Sequence, residues 1–352
     1  MHLAFLSSTP ASAREGSGTF VALDGLRRGL TRLGHTVEVR PLRWRTRFHT
    51  LDRWLYNAGI LLAPPAAEVV VGVDLDGFLW ARWRGRRPFV VALKGIIADE
   101  RRHERGWVRV LLGVQARWER RNCARADRVV VPSRYSAEVA QRVYGVDPGR
   151  LAVVPEPLDL AAWQAEFAAV GQARAERPTV LAVARMYPRK RLGDLLEAAA
   201  RLRPRVPGLQ VRIVGAGPEA PRLRRLRAAL GLGDAVVFLG EVTRRALAVE
   251  YVRAHCFCLP SVQEGFGLAF AEAMAAGLPV VACRAAAVPE VVPDRRTGLL
   301  VTPGRPDELA AALEAVLTDE RLRKDLGEAG RQRVEAFDLE RVAAAFLAVL
   351  PA

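Results

Sequence analysis

The chain has 352 residues, of which 51% are hydrophobic and 26% are charged. A single hydrophobic core stops growing at about 250–300 residues, so this length predicts two domains, and the composition excludes wholesale disorder. The formal net charge of +15 comes almost entirely from arginine, because the only lysines are Lys94, Lys190 and Lys324. Such a surplus attracts anions, including phosphates and acidic lipid surfaces. A genome-wide bias toward arginine would produce the same surplus.

Several features predict a protein of the reducing cytoplasm without a zinc site. The cysteines form no paired CxxC motifs, and they are Cys123, Cys256, Cys258 and Cys283. The apolar run in MHLAFLSS is too short for a signal peptide, and no stretch approaches the roughly 18 apolar residues of a membrane span. No motif of a nucleic-acid-binding domain accompanies the charge, so nucleic acid is not expected as a partner.

Short β-branched runs alternate with longer helical patterns along both halves of the chain. Strands are predicted at residues 3–6, 36–39, 69–73, 89–93 and 128–131, and again at 179–183, 210–214, 236–239, 256–259 and 280–282. A helix is predicted from about residue 18 to residue 33, and the pattern pauses at residues 165–178. The alternation is typical of βαβ units, so we predict an α/β protein with two Rossmann-like, doubly wound parallel-sheet domains.

The expected organisation is an N-terminal domain over residues 1–165, a linker over 166–177 and a C-terminal domain over 178–336. A final helix over 337–352, N-capped by Asp338, either completes the second domain or packs back on the first. Most of the positive charge lies in the first domain, where residues 40–134 contain 20 basic and 9 acidic side chains. Segments 43–48 and 107–112 mix arginine with Trp and aliphatic residues, which is typical of a membrane interface and equally of packed, solvated helix faces.

The strongest motif is EGFGL, followed four residues later by a second glutamate, between a predicted strand and a predicted helix from residue 268 to residue 276. Glycines in a strand-to-helix turn let backbone amides approach a ligand, and the helix N-terminus favours a pyrophosphate. A glutamate one turn inside the helix can accept hydrogen bonds from a ribose diol. The candidate residues are Glu264, Gly265, Phe266, Gly267, Leu268 and Glu272.

Three further segments point to a phosphate-binding edge of the sheet. Arg185 and Lys190 follow the first strand of the second half across a Pro-containing turn, where two cations could stabilise a departing diphosphate. Two glycine-rich turns are weaker signals. The candidates in them are Gly215 and Gly217 after strand 210–214, and Gly16 and Gly18 between the first strand and the first helix.

In this order the motifs resemble those of the retaining glycosyltransferases of family 4 (GT4, glycosyl transferases group 1), which have the GT-B fold of two Rossmann-like domains facing a central cleft. The segments GSGTFVALDGLRRGLTRLGHTVEV, ADRVVVPSRYSAEV and RLAVVPEPLDL are similar to that family's N-terminal domain. The resemblance implies a hexosyltransferase that uses a UDP-, GDP- or ADP-sugar, retains the anomeric configuration, and needs neither a cofactor nor an essential metal.

The resemblance also implies residue roles. Arg185 and Lys190 would hold the diphosphate, Glu272 the ribose and Glu264 the donor sugar, while Gly16 and Gly18 would approach the donor from the first domain. The acceptor, a sugar or a lipid-linked molecule, would bind mainly to the first domain, with peripheral contact at the anionic inner face of the membrane.

The chain departs from the family pattern at three places. Lys94 stands where the family usually has a histidine that touches the donor sugar; it could hold a sugar hydroxyl or an acidic group, or pair with Asp99 or Glu100. Ala184 and Arg191 replace common glycines. The segment Pro155-Glu156-Pro157 replaces a commoner Pro-Asn-Gly/Pro.

Two alternatives stay open at this point: a nucleotide-sugar 2-epimerase on the same fold, and a non-catalytic protein that binds a nucleotide sugar. Asp74-Leu75-Asp76 matches the Asp-x-Asp string of metal-dependent transferases, but it follows strand 69–73 and is a weak candidate for a metal site.

Overall fold

A computed structural model divides the chain into two compact units, unit 1 with Met1–Pro157 and Asp338–Ala352, and unit 2 with Leu158–Phe337. The structure describes residues 1–10, 13–42, 46, 48–171 and 173–351, with the backbone alone at residues 13–17. The first unit ends eight residues before the boundary expected at residue 165.

Unit 1 contains a six-stranded parallel sheet in the order β2-β1-β3-β4-β5-β6. Its strands are β1 (His2–Ser7), β2 (Thr36–Pro41), β3 (Val69–Val73), β4 (Phe89–Ala92), β5 (Arg128–Val131) and β6 (Leu151–Val153). The helices between them are α1 (Ala13–Arg32), α2 (His49–Leu62), α3 (Ile97–Glu100), α4 (Gly106–Arg125) and α5 (Arg134–Tyr144). Every residue of β3 is buried, as expected for a central strand of a sheet covered on both faces.

Unit 2 contains a second six-stranded parallel sheet, in the order β12-β11-β10-β7-β8-β9. Its strands are β7 (Thr179–Val183), β8 (Gln210–Val214), β9 (Val236–Gly240), β10 (Cys256–Leu259), β11 (Val280–Cys283) and β12 (Gly298–Val301). Its helices are α6 (Leu160–Val170), α7 (Leu192–Leu202), α8 (Ala220–Ala229), α9 (Arg244–Arg253), α10 (Leu268–Ala275), α11 (Val288–Val291), α12 (Pro306–Thr318) and α13 (Glu320–Val334). The strand order reverses between β7 and β10, and ligands of doubly wound folds bind at such a switch point.

The last helix, α14 (Leu339–Ala348), packs in unit 1. Asp338 caps it by accepting a hydrogen bond from the Glu340 N–H at 3.4 Å. The Phe346 ring lies 6.1 Å from the Phe5 ring of β1, and Arg128 Nε donates to the Val349 carbonyl at 3.1 Å. The chain therefore returns to its first unit after completing the second.

The predicted α/β fold with two parallel-sheet domains is confirmed, with local differences. Helix α1 begins at Ala13 rather than near residue 18, and the expected linker 166–177 begins inside α6. Strands β6 and β12 were not predicted. None of the described helices is long and apolar enough to cross a membrane.

Candidate active site

Two loops of unit 2 meet at the switch point of its sheet. Arg185 follows β7 and Glu264 follows β10, and these two strands are paired neighbours. The loops are joined through the Arg189 carbonyl, which accepts hydrogen bonds from the Val262 N–H at 2.9 Å and from Ser261 Oγ at 3.3 Å. Arg185, Lys190 and Glu264 are therefore carried by neighbouring loops at the carboxyl edge of the unit 2 sheet.

Lys190 and Glu264 form an ion pair, with 2.6 Å between Lys190 Nζ and Glu264 Oε1. Their side chains are only 13% and 10% exposed. The family resemblance implies separate roles for these residues toward the diphosphate and the donor sugar, whereas the structure joins their side chains. Because a buried ammonium held by a carboxylate has a fixed position, Glu264 orients the lysine.

The glycine turn after β8 supports the loop that carries Arg185. The Ala216 carbonyl accepts from the Met186 N–H at 2.8 Å. Gly217 has φ +157°, and a Cβ atom built on it would lie 2.7 Å from the Met186 nitrogen. A Cβ on Gly215 would lie 2.1 Å from the Ala184 carbonyl oxygen. Close packing against the Arg185 loop is therefore sufficient to explain glycine at both positions. Their contact with a donor stays a prediction.

The neighbouring arginines shape the same loop. The guanidinium carbons of Arg185 and Arg189 lie 5.8 Å and 5.0 Å from the centre of the Tyr187 ring. Arg191 has a left-handed φ of +48°, the region that favours glycine, which explains why the family commonly has glycine there. Two hydrogen bonds from Arg191 to the Asp194 carboxylate, at 2.7 Å and 2.9 Å, help to offset this strain.

The EGFGL segment leads directly into α10. Gly267 is the N-cap residue, with φ +97°, and Leu268 begins the helix. The Phe266 ring is buried against Phe337, with 5.0 Å between ring centres, and donor binding at Phe266 stays a prediction. This segment could contact a ligand through the backbone groups from Gly265 to Leu268.

Glu272 lies one turn inside α10, where Tyr251 Oη donates a hydrogen bond to its Oε2 at 2.9 Å. Burial raises the pKa of the Glu272 carboxyl to about 7, opposed by the Tyr251 hydrogen bond and the charge of Arg244. Sequence reasoning missed Tyr251, because nothing near residue 251 marks it as the partner of a residue 21 positions later.

In unit 1, two residues that depart from the family pattern, Lys94 and Glu156, are paired with each other. Lys94 Nζ lies 2.7 Å from Glu156 Oε2, and the side chains are 10% and 5% exposed. Lys94 follows β4 and Glu156 follows β6, so both stand at the carboxyl edge of the sheet. The alternative partners Asp99 and Glu100 were wrong. Burial raises the pKa of the Glu156 carboxyl, and the Lys94 ammonium opposes this rise.

The Asp-x-Asp string belongs to a buried hydrogen-bond network at the same edge of unit 1. The Asp76 carboxylate accepts from Ser8 N–H at 2.6 Å and from Asn57 Nδ2 at 3.1 Å, and Asp74 Oδ1 accepts from the Lys94 N–H at 2.8 Å. Burial raises the pKa of Asp74 to about 6, against the charge of Arg53. In the described part of the chain no three His, Cys, Asp or Glu side chains are grouped as a metal ion would require.

The prediction of a glycine turn between β1 and the first helix is wrong. Gly16 and Gly18 lie within α1, not in a loop between β1 and that helix. Glycine is a poor helix former, which is why the sequence predicted a turn, but neighbouring structure overrides propensity. A donor contact at Gly16 would therefore have to come from the first helical turn.

Of the two segments of unit 1 that mix basic and aromatic residues, the structure describes residues 107–112 fully and residues 43–48 only in part. Trp107 is 80% exposed in the first turn of α4, and Val108, Val110 and Leu111 beside it are also exposed. The interpretation as a packed helix face is wrong for these residues. The other segment includes Arg43, Trp44, Arg45 and Arg47, which lie outside the described residues.

The fold is that of known GT-B glycosyltransferases. The chain is similar to sucrose-phosphate synthase from Thermosynechococcus elongatus, with a TM-score of 0.81 and 23% identity, covering 99% of this chain and 97% of that chain. It is also similar to Anabaena HepE in complex with UDP and glucose, with a TM-score of 0.78 and 20% identity, covering 99% and 98%.

Residues 164–333 match the glycosyl transferases group 1 family, and residues 16–162 match Glycosyltransferase Family 4. The chain therefore belongs to glycosyltransferase family 4. It is 34% identical over 254 residues to the GDP-mannose-dependent alpha-(1-6)-phosphatidylinositol monomannoside mannosyltransferase of Mycolicibacterium smegmatis. That match covers 67% of this chain and 64% of the relative, slightly less than two thirds of the relative's length.

Proposed function

We propose that this protein transfers a sugar from a nucleoside-diphosphate sugar to an acceptor hydroxyl, with retention of configuration and without a metal ion. The observation that carries the proposal is the Lys190–Glu264 ion pair at the switch point of unit 2, which joins the loop that also carries Arg185 to the loop after β10. Two cations at the carboxyl edge, beside the N-terminus of α10, form an environment suited to a diphosphate.

In the proposed reaction, the bond between the sugar C1 and the diphosphate oxygen breaks as the acceptor oxygen bonds to C1 from the same face. The acceptor proton goes to the departing phosphate oxygen, and the products are the glycosylated acceptor and the nucleoside diphosphate. Arg185, Lys190 and the amides at the start of α10 stabilise the charge that develops on the leaving group.

The remaining residues of the edge receive the other parts of the donor. Glu264 fixes Lys190 and faces the donor sugar, and the Glu272 carboxylate accepts hydrogen bonds from the ribose hydroxyls. The Tyr251 hydroxyl holds Glu272 in place for this contact.

Arg185→Ala and Lys190→Ala are each expected to lower kcat by at least ~10²-fold, the scale for losing one preorganised charge contact. The assay measures release of nucleoside diphosphate with UDP-, GDP- and ADP-sugars, after a thermal-shift screen with UDP, GDP and ADP has identified the nucleotide. Arg201→Ala, which removes an exposed arginine of α7, is the matched control. Near-normal turnover in both site variants would overturn the diphosphate assignment.

Two measurements test the stereochemistry of the reaction and its independence from a metal ion. The anomeric configuration of the product, read by NMR, is expected to match that of the donor. Activity is expected to persist in EDTA, because the proposed diphosphate contacts are guanidinium, ammonium and amide groups. Complete loss in EDTA with recovery on adding manganese would contradict the metal-independent mechanism.

We further propose that the acceptor is an anionic, lipid-linked molecule reached by peripheral binding to a membrane. Trp107, Val110 and Leu111 are exposed at the start of α4, and the same turn carries the exposed Arg105 and Arg109. Apolar and aromatic side chains with basic neighbours are typical of interfacial helices. The relative from Mycolicibacterium smegmatis is named as a phosphatidylinositol monomannoside mannosyltransferase, which supports this choice.

Co-sedimentation with vesicles tests the membrane proposal. The protein is expected to pellet with vesicles containing anionic lipid at low salt and to be released at high salt, since each basic residue contributes about 1 kcal/mol that salt screens. Trp107→Ser with Val110→Ser should reduce pelleting, whereas Trp83→Ser, at another exposed tryptophan, should not. Protein that stays in the supernatant with anionic vesicles at low salt would favour a soluble acceptor.

A further inference from the structure

A second cationic cavity lies at the opposite edge of the unit 2 sheet from the candidate active site. It has a volume of about 410 Å³ and is lined in part by Arg174, His255 and residues of α13. His255 immediately precedes β10, whereas Glu264 follows that strand. Four residues of strand, or about 13 Å, therefore separate the two edges.

The lining of this cavity, which we call the amino-edge cavity, carries an excess of positive charge. Glu320 is paired with Lys324 at 2.7 Å, and Glu328 with Arg331 at 3.5 Å. These two carboxylates face four cations, which are Arg174, Arg323, Lys324 and Arg331.

Arg174 and Arg323 are the two cations of this lining whose guanidinium groups are held by backbone carbonyls. Across the part of the chain that the structure describes, neither forms an ion pair with a carboxylate, and both donate to backbone carbonyls. Arg174 donates to the Ala254 carbonyl, and Arg323 Nη1 donates to the Val316 and Leu317 carbonyls at 3.1 Å and 3.0 Å. Their guanidinium groups are thus fixed in position without a carboxylate paired to either. The charge of Arg323 does lower the pKa of Glu320, but that exposed carboxylate is paired with Lys324.

The cations and the histidine of this lining repel one another when charged. Burial, then the charges of Arg331 and Arg323, hold the pKa of Arg174 below its ordinary value. Burial and the charges of Arg323 and Arg174 likewise lower the pKa of His255. The Thr179 N–H donates to His255 Nδ1 at 3.2 Å, so in the neutral ring Nε2 carries the proton and is a donor.

We propose that the amino-edge cavity binds the phosphate monoester group of a small phosphorylated metabolite. A guanidinium fork matches the geometry of phosphate oxygens, and a dianion would neutralise both Arg174 and Arg323. The cavity is larger than a phosphate alone, and its volume lies in the range of about 300–1,000 Å³ typical of small-ligand sites. The ligand is therefore a phosphate attached to a sugar-sized group, bound away from the candidate active site.

Isothermal titration calorimetry with glucose 6-phosphate as the probe tests this site, with glucose and inorganic phosphate as parallel arms. We expect Arg174→Gln with Arg323→Gln to weaken glucose 6-phosphate binding at least tenfold, the effect of losing one charged hydrogen bond. Arg185→Ala with Lys190→Ala, at the other edge, should leave this binding intact. Arg321→Gln, which removes a fully exposed arginine from the same helix, is the matched control.

Three outcomes would overturn the proposal. One is no binding of glucose 6-phosphate to the unaltered chain. Another is loss of binding in the Arg185/Lys190 variant with retention in the Arg174/Arg323 variant, which would place the phosphate in the candidate active site. The third is an affinity for inorganic phosphate equal to that for glucose 6-phosphate, which would mean that the cavity recognises the phosphate alone and not an attached group. Thermal melts of each variant establish that a loss of binding is not a loss of folding.

Discussion

Removing either partner of the Lys94–Glu156 pair should destabilise unit 1 far more than replacing both. The ammonium and the carboxylate are 2.7 Å apart and nearly inaccessible to solvent, so a single substitution leaves a buried charge without its counter-ion. Losing one partner of such a pair costs about 3–5 kcal/mol, whereas replacing both by apolar side chains of similar volume is often close to neutral. We expect Lys94→Met and Glu156→Met each to lower the free energy of unfolding by about 3 kcal/mol, and the double variant by about 1 kcal/mol or less.

The surroundings of the pair set this magnitude. The cavity beside it has a volume of only about 10 Å³ and is lined by Leu26, Val130 and Phe346. That is room for about one water, so solvent cannot replace the missing charge. In Lys94→Met the pKa of Glu156, already raised by burial, should rise further. A carboxyl whose folded-state pKa is raised favours the folded state as it takes up a proton, so this variant's deficit should shrink as the pH is lowered.

Tryptophan fluorescence during urea unfolding provides the assay, because six of the seven tryptophans lie in unit 1 and only Trp163 lies in unit 2. Arg212→Met, which breaks the largely buried Arg212–Glu250 pair of unit 2, is the control and should leave the main fluorescence transition in place. If the two single losses add up to the loss in the double variant within about 0.5 kcal/mol, the side chains are not coupled and the reasoning is refuted.

The same variants separate a structural role for Lys94 from a catalytic one. If Lys94 contacts the donor, as the sequence predicts, the double variant regains stability while turnover stays at least ~10²-fold low. Recovery of both stability and turnover would mean that Lys94 only neutralises Glu156.

Two further variants test the edge of unit 2. The Glu272 carboxyl titrates near pH 7, and its carboxylate is the proposed ribose acceptor, so nucleotide affinity should rise about tenfold from pH 6 to pH 8. Glu272→Gln should bind weakly with no such rise, and calorimetry at three pH values would reveal a flat wild-type profile if the assignment were wrong. Gly217→Ala should lose about 1–3 kcal/mol of stability and weaken nucleotide binding, because its methyl group would press on the Met186 backbone. Gly231→Ala has a positive φ with no atom near the new methyl, and it should lose only about 1 kcal/mol with affinity unchanged.

Ten of the twelve described strands could be predicted, from short runs of β-branched and other apolar residues. The two that were missed, β6 and β12, are both at an edge of their sheets. Strand β6 has three residues, of which Val153 is exposed, and β12 begins with Gly298. The other two edge strands, β2 and β9, were predicted and have six and five residues, so among the edge strands the short length of β6 and β12 is what weakens their signal.

The candidate site could be predicted as a set of residues but not as a set of contacts. Lys94 and Glu156 are 62 positions apart, and Lys190 and Glu264 are 74 apart. Strand prediction places Lys94, Lys190 and Glu264 after strands, and therefore at carboxyl edges. It missed β6, so it did not place Glu156. Which of them meet depends on strand order, and no local pattern reports that β7 lies beside β10.

The Lys94–Glu156 and Lys190–Glu264 ion pairs share one arrangement, and each uses a lysine although lysine is rare in this chain. Lys94 and Lys190 are two of only three lysines beside many arginines, and each is held at a carboxyl edge by a glutamate from the loop of another strand. An ammonium is a compact point charge that a single carboxylate can hold, whereas a guanidinium spreads five donors over a plane and would require a wider site. A bias toward arginine therefore accounts for the net charge of the surface but not for these two positions. The cavity of only about 10 Å³ beside Glu156 explains the lysine at position 94. At both positions the glutamate fixes the ammonium, so each glutamate is as much a part of its site as the lysine it holds.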